Sequence, residues 1–473
     1  MSRPMSTASA MPSHPDLASL LQRAMSHIDA WEAGWGSFET HPSLAVASDR
    51  LDDAFSDYLE RLEGNYPFHH PRYAGQMLKP PHPVALAAYA AAQRINPNNH
   101  ALDGGPPTGQ MEKEVVADLA AMVGFPDATL GHLTSGGTIA NLEALWVARE
   151  THPDQQIAFS ADAHYTHGRM CSVLQAKTKV LPTDSLGRLR LDALDEALQT
   201  GTIGTVVLTA GTTGFGSVDP IAEAIALCRE QGARVHIDAA YGGFFTLLAQ
   251  SGAPAFEEFP AASFRAIAEA DSVAIDPHKH GLQPYGCGCI LFQDASAGRV
   301  YQHDSPYTYF TSDELHLGEI SLECSRAGAA AGALWCTLRA LPLRPNDGLG
   351  PVLQACFRAA RTWADLLAAS EPFVLYAPPE TDIVAYFPTP AEPTLSSISA
   401  ASQQLFDAAM HASAPLFLSL YRVPAKKLTA RFPHLHADQD EAAILRSVLM
   451  KPEHETYIPE IHERLTALAQ DAC

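Results

Sequence analysis

Apolar positions over residues 1–95 recur at helical spacing and are interrupted by the Pro- and His-rich stretch NYPFHHPRYAGQMLKPPHP at 65–83. This pattern predicts an N-terminal helical arm, not a separate domain. Between 96 and 345 the period changes. Short apolar runs, IAFSA at 157, TVVLTAG at 205, RVHIDAA at 234, SVAID at 272 and CILF at 289, alternate with amphipathic segments such as PIAEAIALCREQG at 220–232. Proline opens that segment and glycine closes it, as in a helix. Alternation of this kind predicts a large α/β domain with a mainly parallel sheet covered on both faces and joined by right-handed crossovers. After NDGLG at 346 come a long helical stretch, PVLQACFRAARTWADLLAAS, the strand-like pieces DIVAYF and AAILRSVLM, and a last amphipathic helix. Residues 346–473 therefore read as a smaller C-terminal α+β domain.

Composition narrows the function classes. The apolar fraction of 47% with 18% charged residues, over 473 residues, is that of a folded globular chain with a large core. Acidic residues outnumber basic ones 53 to 31, for a formal charge of −22, which argues against nucleic acid and anionic membranes as partners. The sequence shows neither a signal peptide nor an apolar run long enough to span a bilayer, so a cytoplasmic location is expected. The eight cysteines are scattered through apolar segments, and Cys287 and Cys289 in GCGCILF lack a second pair to complete a zinc site.

Ligands of open α/β sheets gather at the carboxyl ends of strands, which directs attention there. GHLTSGGTIANLEALWVAR places Ser135, two glycines and Thr138 just before a helix, a turn that either caps the helix or cradles a phosphate on its N-terminus. RVHIDAAYGG ends a strand on Asp238, a carboxylate that needs a cationic partner when buried. DSVAIDPHKHG places Lys279 between His278 and His280 at the end of an apolar strand, where desolvation and neighbouring positive charge would free the amine for Schiff-base chemistry. A metal site built from Asp276, His278 and His280 competes with this reading, although Pro277 interrupts the strand that would align them. One small molecule needs a phosphate cradle, a buried carboxylate and an amine together: pyridoxal phosphate, with its aldehyde on Lys279 and its protonated ring nitrogen on Asp238.

On these motifs, and from about residue 60 to the C-terminus, the chain resembles the group II pyridoxal-phosphate-dependent amino acid decarboxylases of fold type I. That family includes the aromatic amino acid, tyrosine, glutamate and histidine decarboxylases. The resemblance implies that Lys279 carries the cofactor aldehyde and that Asp238 pairs with the ring nitrogen. It also implies that Ala240 packs on one ring face and that His164, in SADAHYTHGRM, stacks on the other. Gly137, Thr138, Ser272 and His278 correspond to phosphate ligands, and Thr212 in TAGTTGFGSVDPI to a threonine near the ring hydroxyl. Arg446 in AAILRSVLMKP corresponds to the arginine that fixes the substrate carboxylate. RYAGQML and GGPPTGQMEKE, with Gln76 and Thr108, correspond to parts of the substrate pocket that relatives complete from a second subunit, which implies a homodimer with shared active sites.

The family also has a mobile loop whose tyrosine protonates the substrate carbon. QHDSPYTYFTSDE offers Tyr307 and Tyr309, with Tyr307 favoured by its spacing from Lys279. The loop aligns loosely, and His280 stands where many relatives have tryptophan. The resulting expectation is a carboxy-lyase that converts an L-amino acid, tyrosine-like first, to its amine and carbon dioxide. A carbon–carbon lyase or an aldehyde-forming decarboxylase on the same cofactor and, remotely, a non-catalytic scaffold are the other readings.

Overall fold

The structure is a computed structural model, and it describes residues 14–127, 129–251, 259–302 and 321–472. Its centre is a seven-stranded sheet built from β1 (Leu130–Thr134), β2 (Gln156–Ser160), β3 (Thr178–Leu181), β4 (Ile203–Thr209), β5 (Arg234–Ala239), β6 (Ser272–Ile275) and β7 (Gly288–Phe292), in spatial order β1-β7-β6-β5-β4-β2-β3. All neighbours pair in parallel except β7, which runs antiparallel to both β1 and β6. Every residue of β4 and β6 is buried, which explains why their sequences are continuous apolar runs without alternation. Five of the strands coincide with the runs read from the sequence. β1 escapes that reading because Gly131 and His132 break its apolar character, and β3 because it is an edge strand with three exposed residues.

The second sheet has four antiparallel strands, Phe373–Leu375, Ile383–Pro388, Glu441–Val448 and Ser419–Pro424 in spatial order. It packs against the helices Leu349–Ala368, Leu395–His411 and His454–Ala472 around Trp363, Tyr386 and Leu445.

The stretch read as an arm divides in two. Helices α1 (Leu17–Ala33) and α2 (Ser48–Leu62) lie outermost, and α2 buries none of its residues. The segment that follows is tied to the small domain: the Ala74 N–H donates to the Phe417 carbonyl at 2.8 Å, and the Val448 N–H to the Ala74 carbonyl at 2.8 Å. Helix α3 (Pro83–Ile95) then packs on α1 and on the helix Gly328–Ala340, and α4 (Pro106–Val123) leads into β1. Among the described residues no helix is long and apolar enough to cross a membrane.

Candidate active site

A cavity of about 310 Å3 opens at the carboxyl ends of β4, β5 and β6 and is lined by Gly137, Thr138, His164, Asp238, Ala240, His278 and Lys279, among others. Asp238 reaches it from the end of β5, side by side with Thr209 of β4. Its Oδ1 accepts the Ala240 N–H at 3.1 Å and its Oδ2 is 2.9 Å from His167 Nε2. Burial pushes this carboxyl upward. The hydrogen bond from His167 and the nearby Lys279 charge outweigh burial and hold it well below the usual carboxylate range. His167 sits in the first turn of α6 (Thr166–Val173) and was not singled out from the sequence. Its partner is 71 residues away, and nothing local marks the pairing. His164, on the same segment, is half-buried and bonded through Nδ1 to the Thr166 hydroxyl at 2.7 Å, and burial lowers its pKa.

The glycine turn forms the opposite wall. Gly136 has φ +152°, and a Cβ on it would come within 3.1 Å of the His278 ring; a Cβ on Gly137 would meet Asp276 Oδ2 at 2.7 Å and the Ala240 methyl at 3.1 Å. Only glycine lets the backbone approach so closely. The turn ends at the N-terminus of α5 (Gly137–Thr151), whose first N–H groups have no partner within the helix and favour an anion. Beside it the Ser135 N–H donates to Glu323 Oε2 at 2.8 Å, a contact that the sequence did not suggest.

Lys279 Nζ lies 3.0 Å from Asp276 Oδ2, so its immediate neighbour is a carboxylate and not the positive charge expected from the flanking histidines. His278 Nε2 is 3.5 Å from the same oxygen, and burial lowers the pKa of this histidine. His280 turns the other way. Its Nδ1 is 3.0 Å from the Tyr241 carbonyl and its Nε2 2.8 Å from Asp382 Oδ2, in the small domain. Asp276, His278 and His280 therefore do not converge, and no metal-binding cluster occurs among the described residues.

Arg446, in the strand Glu441–Val448, lies against Gln76, and both stand just outside the residues that line the cavity, behind Thr213. Its guanidinium donates to the Thr213 carbonyl at 2.6 Å, to Gln76 Oε1 at 3.1 Å and to Ser419 Oγ at 3.3 Å. Three other expected residues lie elsewhere. Ser272 is at the amino end of β6, away from the phosphate turn, and its hydroxyl is 2.9 Å from His236 Nδ1. It reaches the turn only indirectly, because His236 Nε2 bonds Asn141 Oδ1 and Asn141 Nδ2 donates to the Gly137 carbonyl. The Thr212 hydroxyl accepts the Ser217 N–H within its own loop, while Gly211 and Thr213 border the cavity. Thr108 donates to Asn99 Oδ1 at 2.7 Å and lines a separate apolar cavity between α1, α3 and α4. Tyr307 and Tyr309 lie outside the described residues.

One cavity thus presents a glycine cradle at a helix N-terminus, a buried carboxylate held ionised, and an amine. This donor set fits the phosphate, the ring nitrogen and the aldehyde of pyridoxal phosphate. Comparison with known proteins agrees. The pyridoxal-dependent decarboxylase conserved domain matches residues 42–387. The chain is 30% identical over 318 residues to a probable L-tyrosine/L-aspartate decarboxylase of Methanothermobacter thermautotrophicus, covering 67% of this chain and 82% of that protein. It is 29% identical over 422 residues to an L-tyrosine decarboxylase of Enterococcus faecium, with 69% of each covered. In fold it is similar to the crystal structure of mouse CSAD, with a TM-score of 0.75 at 21% identity, over 95% of this chain and 98% of that one.

Proposed function

The chain belongs to the pyridoxal-dependent decarboxylase family, and from that premise we propose that its substrate is an aromatic L-amino acid, tyrosine first, released as the amine and carbon dioxide. The protein is a pyridoxal-phosphate-dependent amino acid decarboxylase, a carboxy-lyase with an α/β fold. One observation carries the proposal. Arg446 is 5% exposed, and among the described residues it bonds only neutral acceptors and has no carboxylate partner. A buried cation without a counter-ion is costly, and a bound α-carboxylate supplies the missing charge in bidentate form.

The bound cofactor supplies an electron sink for the pair left behind when the carboxylate departs. Lys279 Nζ would hold the cofactor aldehyde. Asp238, ionised in its buried setting, would hold the proton on the ring nitrogen. Gly137, Thr138 and His278 would bind the phosphate, Ala240 and His164 would flank the ring, and Gln76 orients Arg446. Return of a proton to the α-carbon is assigned to Tyr307 on the family resemblance.

The aromatic preference has its support in the cavity wall. Met77, Tyr241 and His278 line it; Lys279, already paired with Asp276, is the only lysine or arginine among the described residues that lines it, and Arg446, assigned to the α-carboxylate, stands behind Thr213. A second substrate carboxylate, as in aspartate, would find no free cation there. The relatives include a probable L-tyrosine/L-aspartate decarboxylase and an L-tyrosine decarboxylase. A panel of the twenty L-amino acids scored for released carbon dioxide tests the reading: tyrosine is expected to lead, and aspartate or glutamate leading would overturn it.

A homodimer is part of the proposal. Phe38 is 89% exposed, and Leu51, Phe55, Leu59 and Leu62 are all exposed along α2, an apolar stripe that a second copy would bury. The described cysteines are free thiols, which supports a cytoplasmic location.

A further inference from the structure

We infer that His167 is a positioning residue for Asp238: it fixes the carboxylate through one oxygen and leaves the remaining acceptor capacity directed at the cofactor's ring nitrogen. The inference rests on the assignment of Asp238 made above.

Hydrogen-bond bookkeeping supports it. An ionised carboxylate only accepts, so the proton in the 2.9 Å contact belongs to His167 Nε2. His167 Nδ1 is buried and has no partner among the described residues. Other buried histidines of this chain use both ring nitrogens. His236 bonds Ser272 and Asn141, His132 bonds the Leu133 carbonyl and Glu143, and His280 bonds the Tyr241 carbonyl and Asp382. Those are satisfied core histidines. His167 instead leaves one nitrogen unpaired, which costs stability, and spends its other nitrogen on the carboxylate of the active site.

Placement gives the inference a second support. His164, which lines the cavity, precedes His167 by three residues and is tied to the start of α6 through Thr166. One helical turn therefore carries both a ring that borders the cofactor cavity and the donor that holds Asp238. Aromatic packing at this position needs no imidazole: the neighbouring ring is Phe159, 6.0 Å away between centroids, which a phenylalanine at 167 would contact equally well. What histidine brings here and phenylalanine does not is the N–H to Asp238. Without it the carboxylate keeps, among the described residues, only the Ala240 N–H on Oδ1, Oδ2 loses its donor, and the group becomes more basic and competes with the ring nitrogen for the proton.

The test uses the holoenzyme loaded with pyridoxal phosphate labelled with 15N in the ring, and compares His167→Phe, His167→Gln and Asp238→Asn. In His167→Phe the ring-nitrogen resonance is expected to move toward the unprotonated position. Cofactor affinity should fall by about tenfold, the factor carried by a hydrogen bond to a charged group, and kcat should fall with KM little changed. Glutamine, whose amide donates from a similar reach, should restore most of the resonance position and affinity. Should the phenylalanine variant not fold, His167→Asn, an amide too short to reach Asp238, replaces it with the same two outcomes. Wild-type resonance and affinity in His167→Phe or His167→Asn overturn the inference. If Asp238→Asn moves the resonance in that case, only the role of His167 is lost. If Asp238→Asn leaves it in place as well, the assignment of Asp238 to the ring nitrogen fails too.

Discussion

Replacing Arg446 by methionine separates recognition of the carboxylate from everything else the pocket does. The guanidinium is buried and faces three neutral acceptors. Loss of a charge-assisted pair in such a setting costs about 2–5 kcal/mol, which corresponds to roughly 30- to 4,000-fold in affinity for the carboxylate. The fold should tolerate the change. Thr213 and Gln76 are exposed, so water can take over their acceptors, and the Ser419 hydroxyl still donates to the Arg446 carbonyl at 3.0 Å. Burial already pushes the pKa of Arg446 down, so removing the charge also removes a desolvation cost. The assay compares kcat/KM for L-tyrosine with the inhibition constant of its product amine, which lacks the carboxylate. We expect kcat/KM to fall by at least 30-fold on this scale, with the inhibition constant essentially unchanged and the urea midpoint equal to or above that of the wild type. Arg446→Lys, which keeps the charge but loses the fork, should fall between the two. Equal weakening of amino acid and amine would refute the reasoning, because Arg446 would then be shaping the pocket and not reading the carboxylate.

Four further outcomes are expected. Lys279→Ala should abolish turnover and the visible absorbance of the Schiff base together, and borohydride reduction of the wild type should label Lys279 and no other lysine. Asp382→Asn and His280→Leu each break a fully buried pair and should each lower stability by about 3–5 kcal/mol in urea titrations. Burial raises the Asp382 carboxyl, but His280 and Tyr241 outweigh it, so its folded pKa lies below the ordinary 3.8. The wild-type advantage over Asp382→Asn is therefore full above about pH 4 and shrinks as pH falls through that lower value. Burial lowers Lys451 from 10.5 to about 8, so the folded state disfavours its charge. Wild-type stability relative to Lys451→Met should rise as pH climbs from about 8 to about 10.5, and a flat difference would remove that assignment. Glutamates at Leu51 and Leu59 on α2 should give a monomer by light scattering if that stripe is the dimer contact.

The fold was legible wherever burial imposes a simple period. β2, β4, β5, β6 and β7 are apolar runs because sheet and helices cover both faces, and the glycine turn, Asp238 and Lys279 stand out because polar or flexible residues end those runs. What could not be read depends on distance through space. Ser272 and Asp276 are four residues apart in one extended segment, and at about 3.3 Å per residue that separates them by roughly 13 Å, which places Ser272 at the wrong end of the sheet for the phosphate. Thr108 and Thr212 are short hydroxyls whose partners, Asn99 and the Ser217 N–H, are fixed by local turns that the sequence pattern does not distinguish from a ligand site. His167 and Glu323 are invisible for the opposite reason, because each meets its partner only after the chain has travelled far, 71 residues to Asp238 and 188 to Ser135.

His280 was legible as a departure but not as a device. It follows Lys279 directly and bonds Asp382, which stands immediately before the strand Ile383–Pro388 of the small domain, while Tyr241, next to Ala240 at the cavity wall, donates its hydroxyl to the other Asp382 oxygen at 2.5 Å. Both nitrogens of His280 thus face oxygen acceptors, one on each side of the domain boundary. Arg446 makes the same crossing in reverse, from the small domain to the Thr213 carbonyl of the large one. The residue after Lys279 is thus anchored to the small domain and Arg446 to the large one, so the two residues proposed to take the cofactor and the substrate are tied across the domains from both sides. A shift between domains would move Lys279 and Arg446 against each other, so Asp382→Asn is expected to lower kcat more than its loss of stability alone accounts for, even at temperatures where it is fully folded. Measuring kcat for Asp382→Asn well below its unfolding transition decides the point, since an unchanged value there would leave the network a purely structural pin.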